Sequence, residues 1–149
     1  MCFAEPLTRL RVYFFLDIRE CLMNTHDHSH KNAAVSFLRL VSSGKIRDAY
    51  DRHVDASFRH HNAYYRGDRE SLMRAMEDNA AKNPNKVLDV KLALEDGSYV
   101  AVHSHVRQHP QDRGAAVVHL FRFENDRIIE LWDVGQALPP ESPNQYGMF

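Results

Sequence analysis

The chain has 149 residues and a mass of 17.3 kDa, with 44% apolar and 26% charged residues, a composition typical of one globular domain. Nineteen basic and twenty acidic residues give a formal charge of -1, so we expect neither a nucleic acid nor a membrane surface as a partner. The longest apolar run, residues 12–16, is far too short to span a membrane. Both cysteines, Cys2 and Cys21, precede the body of the domain, which favours a reducing, cytoplasmic location.

The first 30 residues show no sustained helical or strand periodicity. We therefore expect residues 1–30 to form a peripheral segment, with Met23 close to the functional start, and we assign the folded domain to residues 31–149. Removal of residues 1–22 is expected to leave the fold intact.

The first half of the domain has helical periodicity. Apolar residues recur at helical spacing over residues 32–41 and again over residues 46–54, and a Ser-Ser-Gly break separates the two runs. A short aromatic and histidine-rich stretch follows at residues 58–65. Asp68 is a suitable N-cap for a third helix over residues 69–81.

The second half alternates with a period of two, as strands do. Turn residues, including Asn125-Asp126, divide it into four predicted strands at residues 87–94, 99–107, 115–123 and 127–134. This order predicts an α+β fold in which three helices pack on one face of a curved, mainly antiparallel sheet. Such a sheet encloses a conical apolar pocket, which is a natural small-molecule site.

Several segments, in their order along the chain, carry a family resemblance. Residues 58–62 (Phe-Arg-His-His-Asn) with Gly-Asp-Arg-Glu at 67–70 resemble the Tyr-x-Gln-His-Asn … Gly-x-Glu stretch of the SnoaL-like polyketide cyclases. Residues 100–105 also resemble that family, and the best match runs from residues 116–123 to residues 128–136. The resemblance covers roughly residues 31 to 149. It implies the cone-shaped fold of the nuclear transport factor 2-like superfamily, frequently a homodimer, and chemistry without metal.

Two positions depart from the family pattern. The family usually carries an aspartate where His119 stands, and that aspartate is the acid/base group of the cyclases. It often carries a histidine where Leu131 stands. The reaction of the cyclases therefore does not transfer directly to this chain.

Strand geometry groups a set of polar and aromatic residues. Residues two apart on a strand share a face, which joins His103 to His105. A two-residue turn at residues 125–126 sets His119 opposite Trp132, and opposed residues also share a face. One face of the sheet is thus predicted to present His103, His105, His119, Glu130 and Trp132, with His61 arriving from the helical side.

Histidine suits proton transfer because its ordinary pKa lies near neutral pH. We expect a neutral His119 to abstract a proton α to a carbonyl, and His105 to donate a proton or polarise the carbonyl. A structural contact of Asp133, such as a bridge to Arg122, is favoured over a chemical role. The substrate is expected to contact the remaining residues of the set: His61, Asn62, His103, Glu130, Trp132 and Gln136.

These residues, together with the SnoaL-like resemblance, favour a small enzyme doing cofactor-free acid/base chemistry, such as aldol cyclisation, isomerisation or dehydration, on a hydrophobic carbonyl compound. Nucleophile-elbow, phosphate-loop and dinucleotide motifs are absent from the sequence.

Two alternatives stay open. The first is a non-catalytic ligand-binding or dimerisation module, which a relative lacking the usual aspartate would fit. The second is a metal site formed by His103, His105 and His119 with a carboxylate.

A homodimer is also expected. Its basis is the sheet face opposite the helices, for which the sequence predicts exposed apolar residues: Val100, Val102, Val118 and Leu120.

Overall fold

A computed structural model describes residues 29–149, so the predictions about Cys2, Cys21 and Met23 lie outside the described residues. No helix of the described part is long and apolar enough to cross a membrane. The elements of residues 29–149, in chain order, are three helices and five strands: α1 (His30–Ser42), α2 (Ile46–His53), β1 (Val54–His60), α3 (Arg69–Lys82), β2 (Val87–Asp96), β3 (Tyr99–Arg107), β4 (Ala115–Glu124) and β5 (Arg127–Ala137).

Two of the described helices, α1 and α3, start at a residue whose side chain caps the helix. Ser29 accepts a hydrogen bond from the Asn32 N–H at the start of α1, and Asp68 accepts one from the Ser71 N–H at the start of α3. The predicted cap at Asp68 is therefore confirmed. The second helix ends one residue earlier than predicted, because the β-branched Val54 adopts an extended backbone and begins β1.

The sheet has the strand order β1-β5-β4-β3-β2. The pairs β5-β4, β4-β3 and β3-β2 are antiparallel, which confirms the predicted meander, while β1 pairs in parallel with β5. The sheet is thus mixed. Strand β1 was not predicted, because its seven residues have no clear apolar alternation.

We call the sheet face under the helices the inner face and the opposite one the outer face. The side chains of β3 alternate as predicted but point the other way. Val100 and Val102 are 1% and 0% exposed in the core, whereas His103 and His105 lie on the outer face. The prediction that both valines are exposed is wrong, because burying aliphatic side chains is more favourable than burying imidazoles.

A β-bulge sets the register between β4 and β5. Asn125 and Asp126 both have positive φ, as in a two-residue hairpin turn, and Glu124 faces Arg127 as predicted. Ile129 is then an extra residue, since Phe123 pairs with Ile128 while Arg122 pairs with Glu130. The bulge allows the adjacent Ile128 and Ile129 both to be buried.

The register beyond the bulge differs from the predicted one by one residue. His119 lies opposite Asp133, and Leu120 lies opposite Trp132. The prediction that His119 opposes Trp132 is therefore wrong. Because strand side chains alternate, this single step moves Trp132 and Glu130 to the face opposite His119.

Candidate functional site

A cavity of about 380 Å³ lies between the helices and the inner face of the sheet. Its apolar lining includes Leu38, Val41, Leu72, Ala75, Met76, Leu88, Val106 and Val117. Its polar lining includes Asn62, Asn79, Lys86, Gln108, His119 and Asp133. An apolar cavity with a few convergent polar groups is typical of small-molecule sites.

His119 points from the centre of β4 into this cavity. Burial lowers the pKa of His119 from 6.5 to about 4, although the nearby Asp133 carboxylate opposes that shift. The imidazole is therefore neutral at neutral pH.

The two ring nitrogens of His119 differ. Nδ1 is buried and has no hydrogen-bond partner among the described residues. A buried lone pair is less costly to leave unpaired than a buried N–H, so we assign the proton to Nε2, which is not among the fully buried atoms that lack a partner. His119 thus presents a neutral N–H donor to the cavity.

Asp133 is the cross-strand neighbour of His119 and also lines the cavity. Asn62 Nδ2 donates to Asp133 Oδ2 at 2.8 Å, while Asn62 Oδ1 accepts the Tyr64 N–H at 2.9 Å. The second bond fixes the amide orientation that the first bond requires. The expected bridge from Asp133 to Arg122 is wrong, because Arg122 lies on the outer face.

His60 holds Asn62 in place from the buried end of β1. His60 Nε2 lies 2.6 Å from the Arg66 carbonyl oxygen, and Nδ1 accepts the Asn62 N–H at 3.2 Å. With both nitrogens engaged, the ring is the Nε2–H tautomer. The sequence showed two adjacent histidines on opposite faces but did not indicate that His60 orients Asn62.

Glu130 forms an ion network on the outer face. Its carboxylate accepts from Arg59 Nε at 2.7 Å and Arg122 Nε at 2.8 Å, and His61 Nε2 lies 2.9 Å from it. These partners, Arg59 first, lower the pKa of Glu130 to about 2. The His61 ring also stacks on Trp132, with centroids 4.7 Å apart. The predicted grouping of His61, Glu130 and Trp132 exists, but it lies outside the cavity.

The remaining predicted site residues also lie on the outer face. His103 and His105 stand beside the Phe149 ring, and His105 Nε2 lies 2.7 Å from the Arg113 carbonyl oxygen. Gln136 is exposed, and it lies opposite Ala116, whose neighbour on the other side is His105. Only Asn62 and His119 of the predicted set therefore line the cavity.

The sheet separates His105 from His119. The prediction that they act together as acid and base is therefore wrong. The same separation prevents His103, His105 and His119 from sharing a metal ion. Within residues 29–149, no group of three or more His, Cys, Asp or Glu side chains is placed to hold one.

Comparisons with known proteins bear on the fold. No protein-family profile matches the sequence, and no curated protein matches it either. Among solved structures, an NTF2-like protein of unknown function from Cytophaga hutchinsonii superposes with a TM-score of 0.59 at 16% identity, over 72% of this chain and 90% of that one. NTF2-like denotes likeness to nuclear transport factor 2.

Two further structures carry other descriptions. A SnoaL-like polyketide cyclase from Agrobacterium tumefaciens has a TM-score of 0.59 at 13% identity, over 72% of this chain and 91% of that one. AclR of Streptomyces galilaeus, a proposed hydroxylase, has a TM-score of 0.63 at 18% identity, over 74% of this chain and 80% of that one. The chain therefore has the NTF2-like α+β fold that a SnoaL-like polyketide cyclase also has.

Proposed function

We propose that the protein is a cofactor-free acid/base enzyme that acts on a hydrophobic carbonyl compound in the cavity. The observation that carries the proposal is the placement of Asp133 and His119 side by side on the inner face, with Asn62 fixing the carboxylate. The mostly apolar lining suits a hydrophobic substrate, and the few polar groups suit orientation and proton transfer.

The two residues have complementary roles. The Asp133 carboxylate takes a proton from the carbon α to the carbonyl, and the His119 Nε2–H donates a hydrogen bond to the oxygen that becomes the enolate. A neutral imidazole suits this second role, because it stabilises the oxygen without giving up its proton. The proton on Asp133 then returns to carbon or to a newly formed alkoxide.

This assignment revises the role expected for His119. With a pKa of about 4, His119 is a weak base. The SnoaL-like resemblance implies an acid/base carboxylate at its position on β4. Here the carboxylate of Asp133 lies directly across the ladder on β5, so a carboxylate still reaches the same part of the cavity.

The reaction that follows enolate formation stays open. The neighbours by fold include a polyketide cyclase and a proposed hydroxylase, so the fold does not select one reaction. Abstraction of a proton α to a carbonyl is the common first step of aldol cyclisation and isomerisation. An assay of that step tests the proposal without knowledge of the natural substrate.

The experiment is deuterium incorporation at the α carbons of 2-tetralone in D₂O, followed by proton NMR. We expect the wild-type protein to accelerate exchange over buffer and Asp133→Asn to lose most of that acceleration, about 10²-fold. Asp78→Asn is the matched control, because Asp78 is exposed on α3. Equal exchange with and without wild-type protein would contradict the proposal. If exchange were equal but 2-tetralone shifted the NMR resonances of His119, the protein would bind the ketone without catalysis, and the non-catalytic binding module would replace the enzyme as the proposed function.

A further inference from the structure

Lys86 places a positive charge at the cavity wall. It lies between α3 and β2, is partly buried, and donates from Nζ to Asn79 Oδ1. Burial lowers its pKa. No carboxylate of residues 29–149 lies within ion-pair distance of this nitrogen, in contrast to Lys91, which pairs with Asp89.

The sheet register places Lys86 far from His119 along the cavity. His119 lies opposite Val102 on β3, whereas Leu88, two residues after Lys86, lies opposite Val106. Four residues of strand separate those two rows, about 13 Å at the usual rise per residue. Lys86 therefore stands at one end of the cavity, and His119 stands at the other.

Among residues 29–149, the Asn79 amide oxygen is the hydrogen-bond partner of this ammonium group, so the positive charge is incompletely compensated within the described part of the protein. A carboxylate would form a charge-assisted hydrogen bond with Nζ, stronger than the bond to a neutral amide. The Gln108 amide lines the same end of the cavity and can also donate.

We propose that Lys86 binds a carboxylate of the ligand. The substrate class is then an amphipathic oxo acid, with its carbonyl near His119 and Asp133, an apolar body along the lining, and its carboxylate at Lys86. This inference rests on the proposed function for the site and its orientation, and it adds the chemical class of the substrate.

The test compares two probes of equal shape, 6-acetyl-2-naphthoate and 6-acetyl-2-naphthamide. Calorimetric titration at neutral pH is expected to give a Kd about tenfold lower for the carboxylate with the wild-type protein. Lys86→Gln removes the charge but keeps a donor for Asn79, so it should raise the Kd of the carboxylate to that of the amide. The unchanged Kd of the amide shows that this variant is folded.

Two further variants isolate the position of the charge. Lys86→Arg should retain the preference for the carboxylate. Lys82→Gln removes an equal charge from the exposed end of α3 and should leave both Kd values unchanged. Equal affinity of the two probes for the wild-type protein, an equal loss in Lys82→Gln, or no binding of either probe would overturn the proposal.

Deuterium exchange at the acetyl methyl of the same probes separates this inference from the proposed function. Selective binding of the carboxylate without accelerated exchange would retain the Lys86 site and reject acid/base catalysis. Accelerated exchange of both probes with equal Kd values would retain catalysis and reject the Lys86 site.

Discussion

Asn62 donates a hydrogen bond to Asp133 across 71 residues of sequence, at 2.8 Å. The contact results from the parallel pairing of β1 with β5, in which His60 lies opposite Leu131. Two residues after each member of this pair, Asn62 and Asp133 are neighbours at the cavity. The carboxylate that we assign as the base is therefore oriented by the end of a parallel edge strand.

Asn62→Ala is expected to lower the rate of 2-tetralone exchange about tenfold with little change in KM, because it misplaces the base without removing a binding surface. Steady-state exchange rates at several ketone concentrations separate the two parameters. Asn85→Ala, in the exposed loop before β2, is the control and should change neither. A change in KM alone would make Asn62 a binding residue.

Much of the fold followed from local sequence signals. The cap at Asp68, the turn at Asn125-Asp126 and the alternation of β2 to β5 each act over a few residues, so a single sequence shows them. Strand β1 was missed because it forms through pairing with β5, about 70 residues later. Its own sequence lacks a clear strand pattern.

The candidate site was predicted less completely, for one physical reason. The extra residue Ile129 shifts the pairing by one, and a shift of one exchanges the faces of all later side chains. His119 was identified as a site residue, but Asp133 was assigned a structural contact and was not predicted to lie beside His119. Two consecutive isoleucines after a tight turn are the signal that could have indicated the bulge.

Glu130→Gln is expected to destabilise the fold by about 2 kcal/mol, between the values for exposed and fully buried ion pairs, since Arg59 is largely exposed. The melting temperature of Glu130→Gln should then be about 4–8 °C lower than that of the wild type. Glu124→Gln, at the exposed end of β4, is the control. An unchanged melting temperature would show that the network contributes no stability.

The contribution of Glu130 should also depend on pH. Because its pKa is lowered from 4.5 to about 2 in the fold, its stabilisation is complete above pH 4.5 and is lost as the pH falls through about 2. The difference in unfolding free energy between wild type and Glu130→Gln should narrow over that range. Urea unfolding at pH 7, 4 and 3 measures this difference. A difference that stays constant over these pH values would contradict the lowered pKa of Glu130 in the fold.

A homodimer through the outer face stays a prediction, with a corrected set of residues. Two adjacent rows of the outer face are rich in apolar side chains: Leu92, His103, Val118 and Val134 in one, and Leu94, Ala101, Leu120 and Trp132 in the other. We expect light scattering to give twice 17.3 kDa for wild type and 17.3 kDa for Val134→Asp. Tyr64→Ser, an exposed aromatic elsewhere, should stay dimeric. A wild-type mass of 17.3 kDa would reject the dimer.

The peripheral assignment of the N-terminal segment is tested by removing residues 1–22. A chain beginning at Met23 should melt within about 4 °C of the full chain, the shift that 1 kcal/mol produces at this size. A decrease of about 10 °C or more would show that the segment is part of the core.

The last prediction concerns the titration of His119. Because burial lowers its pKa from 6.5 to about 4, the unfolded chain takes up a proton at this residue before the folded chain does. The free energy of unfolding should therefore decrease as the pH falls from 6.5 to about 4, and more steeply in wild type than in His119→Asn. His53, whose pKa is also lowered by burial, is present in both chains, so its contribution cancels. Urea unfolding at pH 7, 5.5 and 4.5 gives the comparison. Parallel pH dependence in the two chains would mean that His119 titrates as it does in the unfolded chain, and its role as a neutral donor would then be wrong.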